Sequence, residues 1–390
     1  MATRVLQNRA RSQAPGEIAS FVRHLDYLLF AAVGGLVAYG LWVLSAVTQN
    51  DIAGDPDYYV VRQGINIGVG VIALAAATAV NPEVYPRLRR PFYGLLILLL
   101  AVVFVTDSVR GSQRWIDIGF FRFQPSELGK LIFIVCIAAF LADRSRRLGE
   151  WRTVLSAVGL GALPALLVFI EPDFGTALMY AGALAAALFI AGVPWSRLAA
   201  LALTAGTLAI TLLWVFPSAG IDILKPYQVQ RLTGFLDPDL DPSGTTYNAT
   251  QSITAVGSGG LDGRGIAGAT QTNLNYLPEH ATDFIFSSLA EQRGFLGASI
   301  LLLLYALVVW RGVKIIAVAP SLFTAVVSAS IVFILVVQIF VNVGMTIGIA
   351  PVTGIPLPFV SYGGSSMLVS LMMVGLLQAI HVRGRLAGRS

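Results

Sequence analysis

Long apolar runs separated by short polar breaks occupy almost the whole chain. A helix needs about 20 predominantly apolar residues to cross the hydrocarbon of a bilayer. Ten runs reach or approach that length: 27–48, 61–80, 92–107, 126–142, 153–170, 176–193, 197–216, 285–310, 320–343 and 364–382. Backbone in lipid must satisfy its own hydrogen bonds, so the runs read as helices. The expected fold class is all-α, a polytopic integral membrane protein with about ten transmembrane helices. The eighth run carries polar residues in its first half, which leaves its start the least defined boundary. The fifth and sixth are divided only by Glu171-Pro-Asp-Phe-Gly175, where a tight turn and one long buried hairpin both fit.

Composition agrees with this pattern. Of 390 residues, 56% are hydrophobic and only 12% charged, so most of the mass can sit in hydrocarbon. The 39 glycines read mainly as close-packing positions between membrane helices. Net charge is +5, but the arginines fall on alternate connections instead of one basic face. They include Arg23, then Arg87, Arg89 and Arg90, then Arg144, Arg146, Arg147 and Arg152, then Arg197, Arg311 with Lys314, and Arg383 with Arg385. That distribution implies lipid contact and topology, with both termini cytoplasmic, and argues against nucleic acid as a partner. The predicted organisation is a cytoplasmic tail over 1–26, a transmembrane domain over 27–382 and a second cytoplasmic tail over 383–390. The basic start without a convincing cleavage site reads as a signal anchor. The single cysteine, Cys136, excludes an intrachain disulfide and suggests no thiolate metal site. His24, His280 and His381 are too scattered for a histidine-rich one.

Polar chemistry gathers on the outer side. One connection there, about 217–283, is too long to be a simple link. Apolar residues recur through it, as at Ile253, Val256, Leu274 and Tyr276, so an ordered cap with short helices is expected over a floppy linker. Another outer connection, 108–124, holds Arg110, Arg114, Asp117 and Arg122. Arginines outside run against the topology rule; an anionic ligand and a local Arg114–Asp117 pair are the two explanations. Gln124-Pro-Ser-Glu-Leu-Gly-Lys130 then opens the fourth span, with Pro125 in the first helical turn and Glu127 placed i,i+3 from Lys130. A neutralising pair and a lysine held to meet phosphate are compatible readings. The glycine-rich stretch 257–265 can bring amides to a phosphate or form an ordinary turn. Arg231 is a further outer cation, either a ligand contact or an interfacial residue.

Asp283 stands where the long connection returns to the membrane. It is either a helix N-cap or a general base whose proton affinity rises beside Phe284, Ile285 and Phe286. Glu279 is a second carboxylate that acts with it or only shapes the loop. Near the end, prolines and glycines over 348–366 imply broken backbone at membrane depth, which must pack on protein or line a cavity.

Six pieces, in order, resemble the SEDS family of shape, elongation, division and sporulation proteins, represented by RodA and FtsW. They are Arg114-Trp115, Gln124-Pro-Ser-Glu-Leu-Gly-Lys130, Glu171-Pro-Asp-Phe-Gly-Thr176, Gly257-Ser-Gly-Gly260, Leu277-Pro-Glu279 with Thr282-Asp-Phe-Ile-Phe286, and Pro356-Leu-Pro-Phe-Val-Ser-Tyr-Gly-Gly-Ser-Ser366. The stretch around Thr250-Gln251 and Gly268-Ala-Thr-Gln271 is closer to the RodA branch. The resemblance implies a peptidoglycan glycosyltransferase that polymerises lipid II at the outer face of the bacterial inner membrane, in cell elongation and shape. It also implies a class B penicillin-binding protein as partner and an assisting divalent cation, Mg or Mn. It assigns the essential aspartate to Asp283 and the paired fourth-span residues to Glu127 and Lys130. Arg114, Arg231, Gln124, Ser126, Glu279 and Thr282 are then candidates for substrate binding. One position departs: Ala281 stands where the family usually has histidine, and His280 is not assigned to catalysis. An inverting reaction with one base is the expected chemistry. The rival is a transporter that flips a polyprenyl-linked sugar across the bilayer.

Overall fold

The computed structural model describes residues 19–105, 114–119, 121–171, 173–218, 235 and 246–387. Ten of its helices are long and apolar enough to cross a membrane. In chain order the first seven are α1 Tyr27–Val47, α2 Tyr58–Ala79, α3 Arg89–Val102, α4 Pro125–Asp143, α5 Trp151–Ile170, α6 Phe174–Ala191 and α7 Trp195–Ile210. A 3-10 turn, Pro82–Leu88, leads into α3, and α7 runs on through a π-turn, Thr211–Val215. After the long connection come α8 Tyr247–Ser258, which lies outside the set of ten, then α9 Ile285–Ala317, α10 Leu322–Thr346 and α11 Gly364–Ala387. The last helix extends five residues into the stretch expected as a C-terminal tail. A short antiparallel hairpin, β1 Ile116–Ile118 with β2 Phe121–Phe123, precedes α4.

Each predicted span is found within a few residues of its expected bounds, apart from earlier or later helix ends around 82–91, 311–317 and 383–387. Glu171 ends α5 and Asp173 caps α6, accepting from Thr176 N at 3.1 Å, so the fifth and sixth spans meet in a tight turn. The described half of the long connection is ordered, with α8 followed by the short helical turns Gly265–Gly268 and Thr270–Asn273.

Hydrophobicity does not separate inside from outside here, because lipid is as apolar as the core. α4 and α11 are nearly enclosed, whereas no residue of α7 is buried. Small residues mark the close contacts instead. A Cβ at Gly40 would stand 2.9 Å from Val360 Cα, and one at Gly375 would collide with the Leu74 carbonyl of α2. At the arginine-rich face, Asp26 caps α1 and takes a forked bond from Arg311 Nε and Nη2, at 2.8 and 2.6 Å. Gln378 of α11 accepts from Asp26 N and donates to its carbonyl, so α1, α9 and α11 are tied together there.

The 33 residues of α9 exceed what a single crossing needs. Gly294 breaks the helix at φ 62°, ψ −162°. The backbone of Leu261 and Gly263 presses into that break so closely that a Cβ on Gly294 or Gly263 would strike main-chain atoms. The glycine-rich stretch 257–265 is therefore a packing knob on α9, correcting the phosphate reading. Its neighbours explain the polar start of the eighth span. Glu291, fully buried, accepts from Gln271 N, Thr272 N and Thr272 Oγ1 at 2.8, 3.0 and 2.8 Å.

Candidate active site

Asp283 is half-buried, in the turn that leads into α9. The N-cap of α9 is Phe284, with no side-chain cap, so the capping explanation for Asp283 is set aside. What distinguishes the turn is how firmly its main chain is held. Tyr362 N donates to the Ala281 carbonyl at 2.9 Å, Ser361 Oγ to the Thr282 carbonyl at 2.6 Å, and Asn342 Nδ2 to the Asp283 carbonyl at 2.8 Å. Three successive carbonyls are thus fixed by α10 and by the irregular segment before α11. Asn342 Nδ2 also donates to the Ile355 carbonyl at 2.8 Å, joining that segment to the turn.

The broken backbone between α10 and α11 packs against protein on both sides. Gly354, at φ +73°, lies beneath the Asp283 carboxylate, where a Cβ would stand 3.3 Å from Oδ2. Its neighbours face Gly175 at the start of α6: a Cβ there would meet Thr353 O at 3.0 Å and Ile355 Cγ1 at 2.8 Å. Further along, Ser365 Oγ accepts from Gln124 N at 2.9 Å and donates to the Arg122 carbonyl at 3.2 Å. The segment therefore touches the Asp283 turn and the head of α6, and the first turn of α11 that follows it touches the head of α4.

At the head of α4, Gln124 Nε2 donates to Ser126 Oγ at 3.1 Å and to Asp173 Oδ2 at 3.0 Å. Ser126 is fully buried, and its carbonyl accepts from the Tyr180 hydroxyl at 3.1 Å. Gly129 makes that approach of α4 and α6 possible, since a Cβ there would collide with the same hydroxyl. Lys130 Nζ donates to Glu127 Oε1 at 2.8 Å, with the side chains 2% and 5% exposed. Both are sealed between helices, so the ammonium acts through its pair in this conformation.

Arg114 donates from Nε to the Glu171 carbonyl at 3.1 Å. Asp117 instead pairs with Arg122 across the hairpin at 3.6 Å, which replaces the local Arg114–Asp117 pair as its explanation. Glu171 is 1% exposed, and neither carboxylate oxygen has a hydrogen-bond partner among the described residues. Burial, then the nearby Asp173 charge, push its carboxyl up to about 8 against the opposing pull of Arg114. Glu279 sits at φ 55° on the exposed side; its carbonyl accepts from Thr282 N at 3.1 Å and Phe284 N at 3.2 Å, and its Oε2 accepts from Thr282 Oγ1 at 3.1 Å. Glu279 and Thr282 shape the turn. Arg231 and Arg110 lie outside the described residues.

Comparison with known proteins decides what this arrangement belongs to. A family model described as a cell cycle protein, FtsW/RodA/SpoVE, matches residues 23–386. The chain belongs to the FtsW/RodA/SpoVE family. It is 36% identical over 368 residues to the peptidoglycan glycosyltransferase MrdB of Escherichia coli K12, covering 94% of this chain and 96% of that one. It is 34% identical over 354 residues to stage V sporulation protein E of Bacillus subtilis, covering 90% and 93%. A chain solved in a peptidoglycan synthase complex, in which polymerisation and crosslinking are coordinated, superposes with a TM-score of 0.78 at 30% identity, covering 92% and 98%. The rod shape determining protein RodA of Thermus thermophilus gives 0.66 at 28% identity, covering 92% and 96%.

Within this family fold, His280 has its own place. The ring is buried, with Nδ1 at 3.1 Å from the Leu277 carbonyl and Nε2 at 3.1 and 3.0 Å from both oxygens of Asp51. Burial alone lowers its proton affinity, but the Asp51 hydrogen bond and charge, with the Leu277 carbonyl, carry it above the ordinary histidine value. His280 thus links the Asp283 turn to the α1–α2 connection. Reading the sequence did not single out Asn342 or Asp51. Asn342 had a legible signal, since it and Gln338 put amide side chains into a mostly apolar span. Asp51 had none, since a carboxylate in a short polar connection is unremarkable.

Proposed function

We propose that this chain is a peptidoglycan glycosyltransferase that polymerises lipid II at the outer face of the inner membrane, with Asp283 as the general base. The observation that carries the assignment is the triple anchoring of the Ala281, Thr282 and Asp283 carbonyls. A base must be held in position before the reacting hydroxyl arrives, and this main chain is held by two other elements.

In the reaction, Asp283 takes the proton from the 4-hydroxyl of an acceptor GlcNAc. The freed oxygen forms a bond to the anomeric carbon of a donor MurNAc. The bond from that carbon to the diphosphate oxygen breaks, and its electron pair leaves with undecaprenyl diphosphate. Attack opposite an α-linked leaving group yields the β-linked glycan, so one base suffices without a covalent intermediate. Arg114 offsets diphosphate charge as it develops, while Gln124, Ser126, Glu127 and Lys130 keep the head of α4 in place. No group of three histidine, cysteine or acidic side chains that could hold a metal occurs among the described residues. A divalent cation, if it enters with the substrate, would supply charge neutralisation at the diphosphate. The arginine placement supports an orientation with both termini in the cytoplasm and Asp283 outward. A class B penicillin-binding protein is the proposed partner for crosslinking.

The experiment is glycan synthesis from lipid II by the purified chain with that partner, comparing wild type and Asp283→Asn. The variant is expected to fold, bind its partner and lose turnover by about a hundredfold or more. Normal strand formation by the variant would remove Asp283 from the base role.

A further inference from the structure

We propose that the arginine-lined ends of α3, α4 and α5 form a binding site for an acidic phospholipid of the leaflet opposite Asp283. In the orientation proposed above this is the cytoplasmic leaflet. Two cavities meet there, of about 500 and 470 Å³, and both are lined by Arg89 and Arg144. The first is polar, completed by Asp143, Ser145, Arg146 and Arg147. The second is an apolar groove along the helices, walled by Tyr93, Gly94, Ile137, Phe140 and Leu160, with Arg90 on its lining. The Tyr93 hydroxyl donates to the Leu160 carbonyl at 2.9 Å, which fastens α3 to α5 beside the groove.

The charge is unbalanced in favour of an anion. Among the described residues Asp143 is the one carboxylate lining either cavity, and it is already paired with Arg89. Arg144 is held over the Phe140 ring, 4.0 Å from its centroid, where the two cavities share a wall. Arg90, Arg146 and Arg147 have no carboxylate within ion-pair distance among the described residues. A topology signal requires only positive charge near helix ends. It does not require an apolar groove to open between the same arginines. A phosphate head in the polar cavity with an acyl chain in the groove matches both halves at once. A free phosphate matches only one, and an acidic segment of a cytosolic protein leaves the groove unused. Pro125 and Asp143 bound α4, so the polar end of this site at Asp143 lies about 27 Å along the helix from Pro125, and the site is separate from the glycosyl-transfer site.

The test is native mass spectrometry and thermal unfolding of the full chain in phosphatidylcholine nanodiscs titrated with phosphatidylglycerol. Wild type is expected to retain phosphatidylglycerol and to unfold at a higher temperature as it is added. Arg90→Gln with Arg144→Gln should weaken binding about thirtyfold. Gly94→Leu keeps every arginine and fills the groove; a Cβ there meets nothing within 4 Å, so the helix accepts it. This variant should also lose the lipid while unfolding normally in phosphatidylcholine alone. Equal binding by wild type and both variants overturns the site. Glycerol phosphate competing as well as phosphatidylglycerol, or Gly94→Leu binding unchanged, overturns the lipid assignment. An acidic peptide displacing the lipid from wild type and Gly94→Leu alike would do so in favour of a protein partner.

Discussion

Replacing Lys130 by methionine would expose how the head of α4 is held. Nζ stands 2.8 Å from Glu127 Oε1, with the two side chains 2% and 5% exposed, so water cannot take over the lost partnership. Within a buried pair, attraction and the cost of desolvating two ions nearly cancel. One ion left alone keeps only the cost, and breaking such a pair is worth about 3–5 kcal/mol. At about 1.4 kcal/mol per factor of ten, that is roughly two to three and a half powers of ten in the folding equilibrium. Glu127→Gln combined with Lys130→Met leaves no buried charge, and stability should return to within about 1 kcal/mol of wild type. Reversible unfolding in bicelles measures this cycle, and glycan synthesis from lipid II is read on the same samples. A pair that only packs would restore stability and turnover together. A lysine that also steadies the diphosphate would restore stability and leave kcat low. A single Lys130→Met variant losing less than about 1 kcal/mol would refute the buried-pair reasoning itself.

Gly354→Ala places a Cβ 3.3 Å from Asp283 Oδ2 at a φ of +73°. The backbone cost is about 1–2 kcal/mol, and kcat should fall about tenfold or more as the carboxylate shifts, with expression kept. Steady-state kinetics on lipid II checks this, and an unchanged kcat would free Asp283 from Gly354. Glu171 has its carboxyl raised to about 8, so the folded state is favoured while it is protonated and loses stability as pH rises from the ordinary carboxylate range through that value. Glu171→Gln should therefore match wild type near pH 5 and unfold at a higher temperature than wild type above about pH 8, measured by thermal scans across pH. His280 has a raised value, so its contribution is complete below the ordinary histidine range and disappears as pH rises through the raised one. His280→Gln should lose about 1.5–3 kcal/mol at pH 6 and progressively less at higher pH. A constant loss across the range would show that the Asp51 contact is not ionic.

Local properties were legible in the sequence by itself. Apolar length sets a crossing helix because the bilayer has a fixed thickness and denies backbone any other partner. The ten spans, the ordered half of the long connection and the pairing of Glu127 with Lys130 all follow from residues close in the chain, while the turn at Glu171 was one of two readings that the same residues allowed. Asp283 stood out for the same reason, as a carboxylate beside an apolar run. Tertiary structure decided what surrounds it. The Asp283 carbonyl is bound by Asn342, 59 residues away, and His280 by Asp51, 229 residues away. Asn342 could be noticed as an amide in a mostly apolar span, but nothing in the sequence tells which distant carbonyl it meets, and Asp51 carries no signal at all. The glycine-rich stretch 257–265 was open to a phosphate-binding or an ordinary-turn reading, and only its packing into the Gly294 break of α9 shows why the glycines are needed. Which apolar faces meet protein and which meet lipid also depends on packing, because both surroundings reward the same side chains and only close small-residue contacts tell them apart.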